Sequence, residues 1–329
     1  MPTPLKRPML ALLAAAALVV LATYLDWPRV AGYWLAAQQH RSQPTPRGLD
    51  LASYRAATAG QTIEGLRANV SGLTWSSATH TLFTVINRPA AVAELSTDGR
   101  LLREIPLPWL PDPEGITHVK ADLFVVSSEA SHTLYWLRIP AGSQQVQRVA
   151  TTQLPLDFDS WPNLGLEGIS WDDERQQLLL VNEKWPRKVL LVDGLTPAQH
   201  GRARPAVHVW RPQAWLGFLG RDLASLTTNP ASGDLILLSE QSGLVTEYSR
   251  QGDILGVLPL WRGFAGLTRT VPQPEGLTLG ADNTLYIVSE PNLFYRLEPA
   301  RTASRQRDNT RQNSNQATID TGPMHETAQ

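Results

Sequence analysis

Six glutamates fall into three pairs of nearly equal spacing. Glu114 and Glu129 are 15 residues apart, as are Glu275 and Glu290, and Glu167 and Glu183 are 16 apart. The first of each pair opens an E-G step (EGITHV, EGISW, EGLTL), and the second closes an apolar run (LFVVSSE, LLLVNE, LYIVSE). A seventh, Glu240, closes LILLSE, with Ala224 where its partner would stand. Ser71 and Asn87 hold the same two places at the start of the series. Carboxylates gathered at one place raise each other's pKa, take a cation, or work as a general acid and base. An oxygen-only set with no histidine favours Ca²⁺ over zinc or copper.

Such residues need elements that bring them together. From Ser71 to Leu297 one unit recurs five times, starting at Ser71, Glu114, Glu167, Ala224 and Glu275. The starts are 43, 53, 57 and 51 residues apart, and the variation falls mainly in loops, as repeat arrays allow. Each first segment is followed by a turn (SSATH, VKAD, DDERQ, NPASGD, GADN), a second apolar run and a third. Several units add a fourth, such as LLREIPL or ILGVLPL. Short runs of aliphatic and β-branched residues between turns read as strands, and four antiparallel strands repeated radially make a β-propeller. The expectation is an all-β, five-bladed propeller over residues 49–300. The fifth unit lacks a fourth strand, so Leu49 to Thr58 is expected to supply it and close the ring. A six-bladed ring is the competing count, its extra blade built from residues 49–70 and 195–220.

In a hairpin, the start of the first strand and the end of the second share one end. Radial repetition then carries Glu114, Glu129, Glu167, Glu183, Glu240, Glu275 and Glu290 to one mouth of the central channel. Arg88, Lys184, Arg262 and Arg269 are candidates to neutralise some of them, and a bound cation is the other solution. Taken singly, an E-G glutamate reads as well as a pin bonded to a neighbouring blade's backbone N–H. The links PWLPDPEG, DFDSWPNLGLEG and WRGFAGLTRTVPQPEG enter first strands at the same mouth. Trp109, Trp161 and Trp261, with Trp185, are expected to rim a small-molecule pocket there, beside Asn87 and Arg88. Covering blade edges and packing loops is the other use of such tryptophans.

Several functions lose their support. The chain has 29 Lys+Arg against 30 Asp+Glu, so no basic excess is present to neutralise phosphates, and no nucleic-acid partner is expected. Without cysteine there is no disulfide, no thiolate zinc site and no cysteine nucleophile. No G-x-S-x-G, P-loop, H-E-x-x-H or G-x-G-x-x-G motif occurs. The histidines are scattered, and His118, in a first strand, is expected to point into a blade interface.

The segments NLGLEGISWDDERQQLLLVNEKWP, QPEGLTLGADNTLYIVSEPNLFYRL and SGLTWSSATHTLFTVINRPAAVAEL resemble the SdiA-regulated family (YjiK/CarP-like) over roughly residues 60–298. The resemblance implies a five-bladed propeller, usually behind one N-terminal membrane segment in Gram-negative bacteria, with a calcium site and a link to calcium homeostasis. By position it carries the acidic pattern onto Glu114, Glu167, Glu275, Glu129, Glu183 and Glu290. Unit four departs, with Gln241 where members often place a glutamate, and unit one has Asn87-Arg88 before Pro89. The family has no established reaction. The expected function is a membrane-anchored calcium-binding or sensing module. The runner-up is a metal-dependent hydrolase of phosphoesters, as in phytases, or of lactones and other esters, in which the ion polarises an oxygen or activates water.

Residues Met9 to Leu25 carry no charge, span roughly 25 Å as a helix, and follow Lys6 and Arg7. Tyr24, Trp27, Tyr33 and Trp34 follow as an interfacial belt would. The expectation is an anchor within residues 1–37, inserted in the cell inner membrane as a single pass with the propeller in the periplasm. No A-x-A cleavage site follows Leu25, although a cleaved signal peptide is the alternative. A linker is expected over 38–48 and a disordered tail over 301–329. Fractionated cells should hold the chain in the membrane pellet at full length, and a shortened, wholly soluble product would remove the anchor.

Overall fold

The computed structural model describes residues 48–153, 165–183, 186–195, 205–213 and 217–300, and, ahead of these, residues 9, 12–17, 31–32 and 34–35. Residues 12–17 are helical. Among the described residues no helix is long and apolar enough to cross a membrane. Most of the run 9–25, nearly all of the expected linker, and the tail 301–329 lie outside the described residues, as do Trp161, Lys184 and Trp185.

Among the described residues twenty strands form five four-stranded sheets. The outermost strand of the last sheet comes first in the chain: β1 (Arg55–Thr62). Blade one is β2 (Val70–Ser76), β3 (Thr81–Ile86), β4 (Ala91–Leu95) and β5 (Leu101–Pro106). Blade two is β6 (Pro113–Lys120), β7 (Leu123–Ser128), β8 (Thr133–Arg138) and β9 (Gln147–Gln153). Blade three is β10 (Leu166–Asp172), β11 (Gln177–Asn182), β12 (Lys188–Asp193) and β13 (Ala206–Trp210). Blade four is β14 (Ser225–Thr228), β15 (Leu235–Ser239), β16 (Leu244–Tyr248) and β17 (Ile254–Pro259). Blade five is β18 (Gln273–Leu279), β19 (Leu285–Glu290) and β20 (Leu293–Glu298), completed by β1.

The count is five, and the six-bladed alternative fails. Residues 206–210 pair with β12 as the outer strand of blade three, and residues 55–62 pair antiparallel with β20. Among the described residues neither segment has strands to spare. The closing strand begins six residues later than its sequence expectation, because Leu51–Ser53 forms a 3₁₀ turn and Tyr54 is buried. The Tyr54 hydroxyl donates to the carbonyl of Asn283 at 2.7 Å, tying the ring closed a second time.

The core is divided among the five interfaces between neighbouring sheets. Phe83 and Val85 of blade one meet Ile116, Phe124 and Val126 of blade two, with the Phe83 and Phe124 rings 4.6 Å apart. Val125 and Trp136 meet Ile169 and Leu180 at the next interface, and Leu179 and Val181 meet Leu226 and Leu237 at the third. Ile236 and Leu238 pack on Leu277 and Ile287, and Tyr286 and Val288 on Leu73 and Leu82. Second strands are buried on both faces, which is why LFVVSS and LLLVN read as unbroken apolar runs.

The first strand of each blade lies innermost, and adjacent first strands touch through glycine. A Cβ on Gly72 would lie 2.6 Å from the carbonyl oxygen of Glu114, one on Gly115 2.5 Å from that of Glu167, and one on Gly276 2.5 Å from that of Ser71. One on Gly168 would meet the Cα of Ser225 at 2.6 Å. Side-chain hydroxyls then satisfy N–H groups across these contacts. His118 N donates to Thr74 Oγ1 at 3.1 Å, Trp171 N to Thr117 Oγ1 at 2.9 Å, Leu277 N to Ser225 Oγ at 3.2 Å and Trp75 N to Thr278 Oγ1 at 3.0 Å. Gly276→Ala sets a methyl against backbone at the point of closure. It should destabilise the chain by ~1–3 kcal/mol, read as a lower melting temperature, and an unchanged melt would refute the close-contact account.

Candidate functional site

The E-G step does more than allow contact. In blades one, two, three and five the pairing of the first strand with the second slips at this step, between Val70 and Leu73, Pro113 and Gly115, Leu166 and Ile169, and Pro274 and Gly276. Each slip is a β-bulge, which leaves a residue out of the ladder and re-aims its side chain. Glu114, Glu167 and Glu275 sit in three of these bulges and Ser71 in the fourth. Glu129, Glu183, Glu240 and Glu290, at or just beyond the ends of the second strands, arrive at the same mouth. All seven line one axial cavity of ≈ 290 Å³, together with Ser71, Asn87, Ala224 and Gln273. Among the described residues no lysine or arginine lines it.

Glu114 is buried, and the other six are half-buried. Glu114 Oε2 accepts from Ser71 Oγ at 2.7 Å, and its Oε1 accepts from Asn87 Nδ2 at 3.1 Å. Burial pushes its pKa up to about 7. The two hydrogen bonds pull against this, and Asp112 and Glu129 add to it. Burial likewise takes Glu275 to about 8, reinforced by Glu240, Glu290, Glu114 and Glu183. Glu167 is driven well above the usual carboxylate range, first by burial and then by Glu114, Glu129, Glu183 and Glu275. Glu240 is raised by burial and by Asp222, Glu183 and Glu290. No described backbone N–H donates to the carboxylates of Glu114, Glu167 or Glu275, so the expected backbone pin is absent among the described residues, and Glu114 alone of the three is tied to a neighbouring blade, through the Ser71 and Asn87 side chains.

Two tight groupings involve glutamates that line the cavity, although Asp112 and Gly165 themselves do not line it. Asp112, Glu114 and Glu129 each offer an oxygen within 4.8 Å of the others. A calcium ion with oxygens at 2.3–2.6 Å spans ligands up to roughly 5 Å apart, so the donor set fits such an ion. The second grouping surrounds Gly165. A Cβ there would fall 3.0 Å from Glu129 Oε1, 3.1 Å from Glu167 Oε1 and 3.6 Å from Glu183 Oε2. A methyl at this position would push on the Glu129 and Glu167 carboxylates and touch that of Glu183.

Sequence reasoning missed two acidic residues. Asp112 lies two positions before Glu114 and has a positive φ of 45°. The signal was present in D-P-E-G, but nothing in the repeat pattern marked it. Asp222 lies two positions before Ala224 and is fully buried. It accepts from Ser239 Oγ and from Gln241 N at 3.2 Å, and stands beside Glu240.

Other expected site residues lie elsewhere. Asn87 lines the cavity. Arg88 does not enter it: the side chain is 78% exposed and reaches Asp112 Oδ1 at 3.3 Å, at the rim. Arg262 and Arg269 are exposed and do not line the cavity. Trp109 and Trp261 are corrections to the expected aromatic rim. Each follows the outermost strand of a blade, so each stands at the perimeter, and only the last residues of these links reach the axis. Trp109 packs against Tyr135 at 5.8 Å with Arg148 over its ring at 5.5 Å. Trp261 donates its indole N–H to the carbonyl of Ser242 at 2.8 Å and packs on Phe264.

Fold and site together define a five-bladed β-propeller with an acidic axial cavity at one mouth. The SdiA-regulated family profile matches residues 47–298. The chain belongs to the SdiA-regulated family. Among solved structures it is similar to glutaminyl cyclase from Myxococcus xanthus, at 14% identity and a TM-score of 0.52, over 74% of this chain and 95% of that one. It is also similar to a calcium-binding protein, regucalcin, from Agrobacterium tumefaciens, at 11% identity and a TM-score of 0.45, over 73% and 94%.

The raised carboxyls fix the sign of the pH dependence. A group whose folded pKa exceeds its unfolded value stabilises fully below the unfolded value, and that stability is lost as pH rises through the folded one. For Glu114 and Glu275 the loss runs from the ordinary range near 4.5 up to about 7 and 8. In chelator, the chain should therefore melt higher at about pH 5 than at about pH 8. At the higher pH, Glu167→Gln should raise the melting temperature by roughly 2–4 °C, the shift that ~1 kcal/mol produces in a domain of this size. A lower melting temperature for this variant would show that the charge is not strained.

Proposed function

We propose that this chain is a membrane-tethered, periplasmic propeller that binds calcium in its acidic axial cavity and acts as a binding or sensing module in calcium homeostasis. One observation carries the reading: seven glutamates share a cavity that no described lysine or arginine lines. Four of them have pKa values raised chiefly by burial, with the other carboxylates adding to the rise. A divalent ion relieves both causes at once, because it replaces lost hydration and opposes the repulsion. All the donors are oxygens, the set a hard cation takes. Asp112, Glu114 and Glu129 would hold the ion, with Glu167 and Glu183 reaching it beside Glu129 at Gly165. The uncharged run 9–25 behind Lys6 and Arg7 supports the tether and the side of the membrane on which the cavity opens.

Holding a cation requires ionised carboxylates, so affinity should rise with pH. Calorimetric titration of the full-length chain with Ca²⁺ at about pH 8 should show saturable binding. It should weaken at least tenfold in Glu167→Gln, which removes one charge. It should weaken similarly in Gly165→Ala, which keeps every carboxylate but fills the space between three of them. Wild-type affinity in both variants would overturn the site.

A further inference from the structure

The channel has a second mouth, and it is chemically unlike the first. At the far ends of the inner strands lies a cavity of ≈ 440 Å³ that shares no lining residue with the glutamate cavity. The backbone contacts at Gly72, Gly115, Gly168 and Gly276 lie between the two along the inner strands. The volume falls within the roughly 300–1,000 Å³ usual for small-molecule sites.

Each blade contributes a hydroxyl to this cavity from the same place in its first strand, Thr74, Thr117, Ser170, Thr227 and Thr278, and Ser77 and Thr228 add two more. Thr74, Thr117 and Thr278 each accept a backbone N–H from the next blade. One lone pair of each is thus engaged, while no described hydrogen bond uses the second lone pair or the proton. Thr227 has no described side-chain partner. Aromatic rings from three adjacent blades, Trp75, His118 and Trp171, wall one side. Burial lowers the His118 pKa, and its Nε2 lies 2.9 Å from the carbonyl of Ala121. The ring is therefore neutral, with Nε2–H donating and Nδ1 left as an acceptor.

Charge is nearly balanced here, unlike at the other mouth: Asp172, Asp173 and Glu174 line the cavity, and Arg175 and Arg250 pair with the first and last of them. Asp172 is held by Arg175 and Arg250, both at 3.2 Å. Asp173 Oδ1 accepts from the Trp171 indole N–H at 3.3 Å. No lysine or arginine lines the cavity among the described residues, so an anion finds no counter-charge. A ring of neutral hydroxyls, each able both to donate and to accept, suits a hydroxylated ligand better than a cation, for which the other mouth offers seven carboxylates. Aromatic walls over a floor of O–H donors suit a neutral molecule that carries many oxygens on a compact carbon frame.

We infer that this second mouth binds a neutral sugar of one or two rings. The hydroxyl ring donates to sugar oxygens, and the aromatic wall covers the ring carbons. Because the two cavities are separate, the sugar binds whether or not the acidic mouth holds a cation.

Saturation-transfer NMR on the full-length chain, with glucose, N-acetylglucosamine and trehalose as probes, tests this. At least one should show saturable transfer. Its affinity should fall roughly tenfold in Thr227→Val, as for one lost hydrogen bond in a dry site. That variant removes no described protein contact, so its melting temperature should stay unchanged. Ala281→Trp, at an exposed position on the rim, should block binding independently. Neither chelator nor Glu167→Gln should affect it, so the sugar site and the calcium site can fail separately. No transfer from any of the three sugars would overturn the inference. So would binding that persists in both variants, or that is lost in Glu167→Gln.

Discussion

Everything at the axis follows from the approach of neighbouring first strands. A propeller blade is a sheet, and its first strand carries an unpaired edge toward the channel. This chain satisfies part of that edge from the next blade, through hydroxyls such as Thr74 and Thr117 that accept N–H groups. The hydroxyls reach only because the strands touch, and the strands touch because Gly72, Gly115, Gly168 and Gly276 carry no Cβ. At the same step the ladder bulges, and the residue beside each glycine is turned out of the sheet. The packing device that closes the ring is thus the device that aims the acids.

That arrangement stores electrostatic cost in the fold. Glu114, Glu167 and Glu275 are held where burial and each other's charge disfavour ionisation. Evolved cores seldom keep like charges together without a use for them, because neutral residues of similar size pack as well at lower cost. The energy is recovered by whatever positive species enters, so the metal-free fold and its affinity for a cation are two sides of one balance. The five apolar interfaces supply the margin that lets the axis remain strained.

Much of this was legible in the sequence, for definite reasons. Strand parity in a hairpin is fixed, so the E-G and S-E glutamates had to share a mouth once four strands per unit were recognised. Second strands buried on both faces leave an apolar signature that loops do not imitate. The closing strand was found by elimination, but its start was not, because Tyr54 belongs to the core and not to the strand. Bulges leave no signal in composition, so the reason for glycine after glutamate was hidden. Asp112 and Asp222 lie outside the repeat pattern and show themselves only through contacts. The tryptophans misled for a topological reason: a link that ends at the axis begins at the perimeter, and Trp109 and Trp261 stand at its beginning.

Blades one and four separate what folding needs from what the cavity needs. Blade one keeps the bulge and Gly72 but places Ser71 where others place glutamate. The strand packs the same way, and the serine donates to Glu114. A carboxylate is therefore not required to build the bulge. Blade four lacks the whole device: Ala224 and Ser225 replace the E-G pair, its short first strand pairs without a slip, and Ser225 Oγ accepts the N–H of Leu277. The ring closes over this blade too, so closure does not require a bulge at every interface. Where fold alone decides, serine and alanine suffice. Glu114 still ties blade two to blade one through Ser71 and Asn87, but no described hydrogen bond to the carboxylates of Glu167 and Glu275 gives them a packing role, and their burial beside the other acids points to the cavity they line as the reason for keeping them.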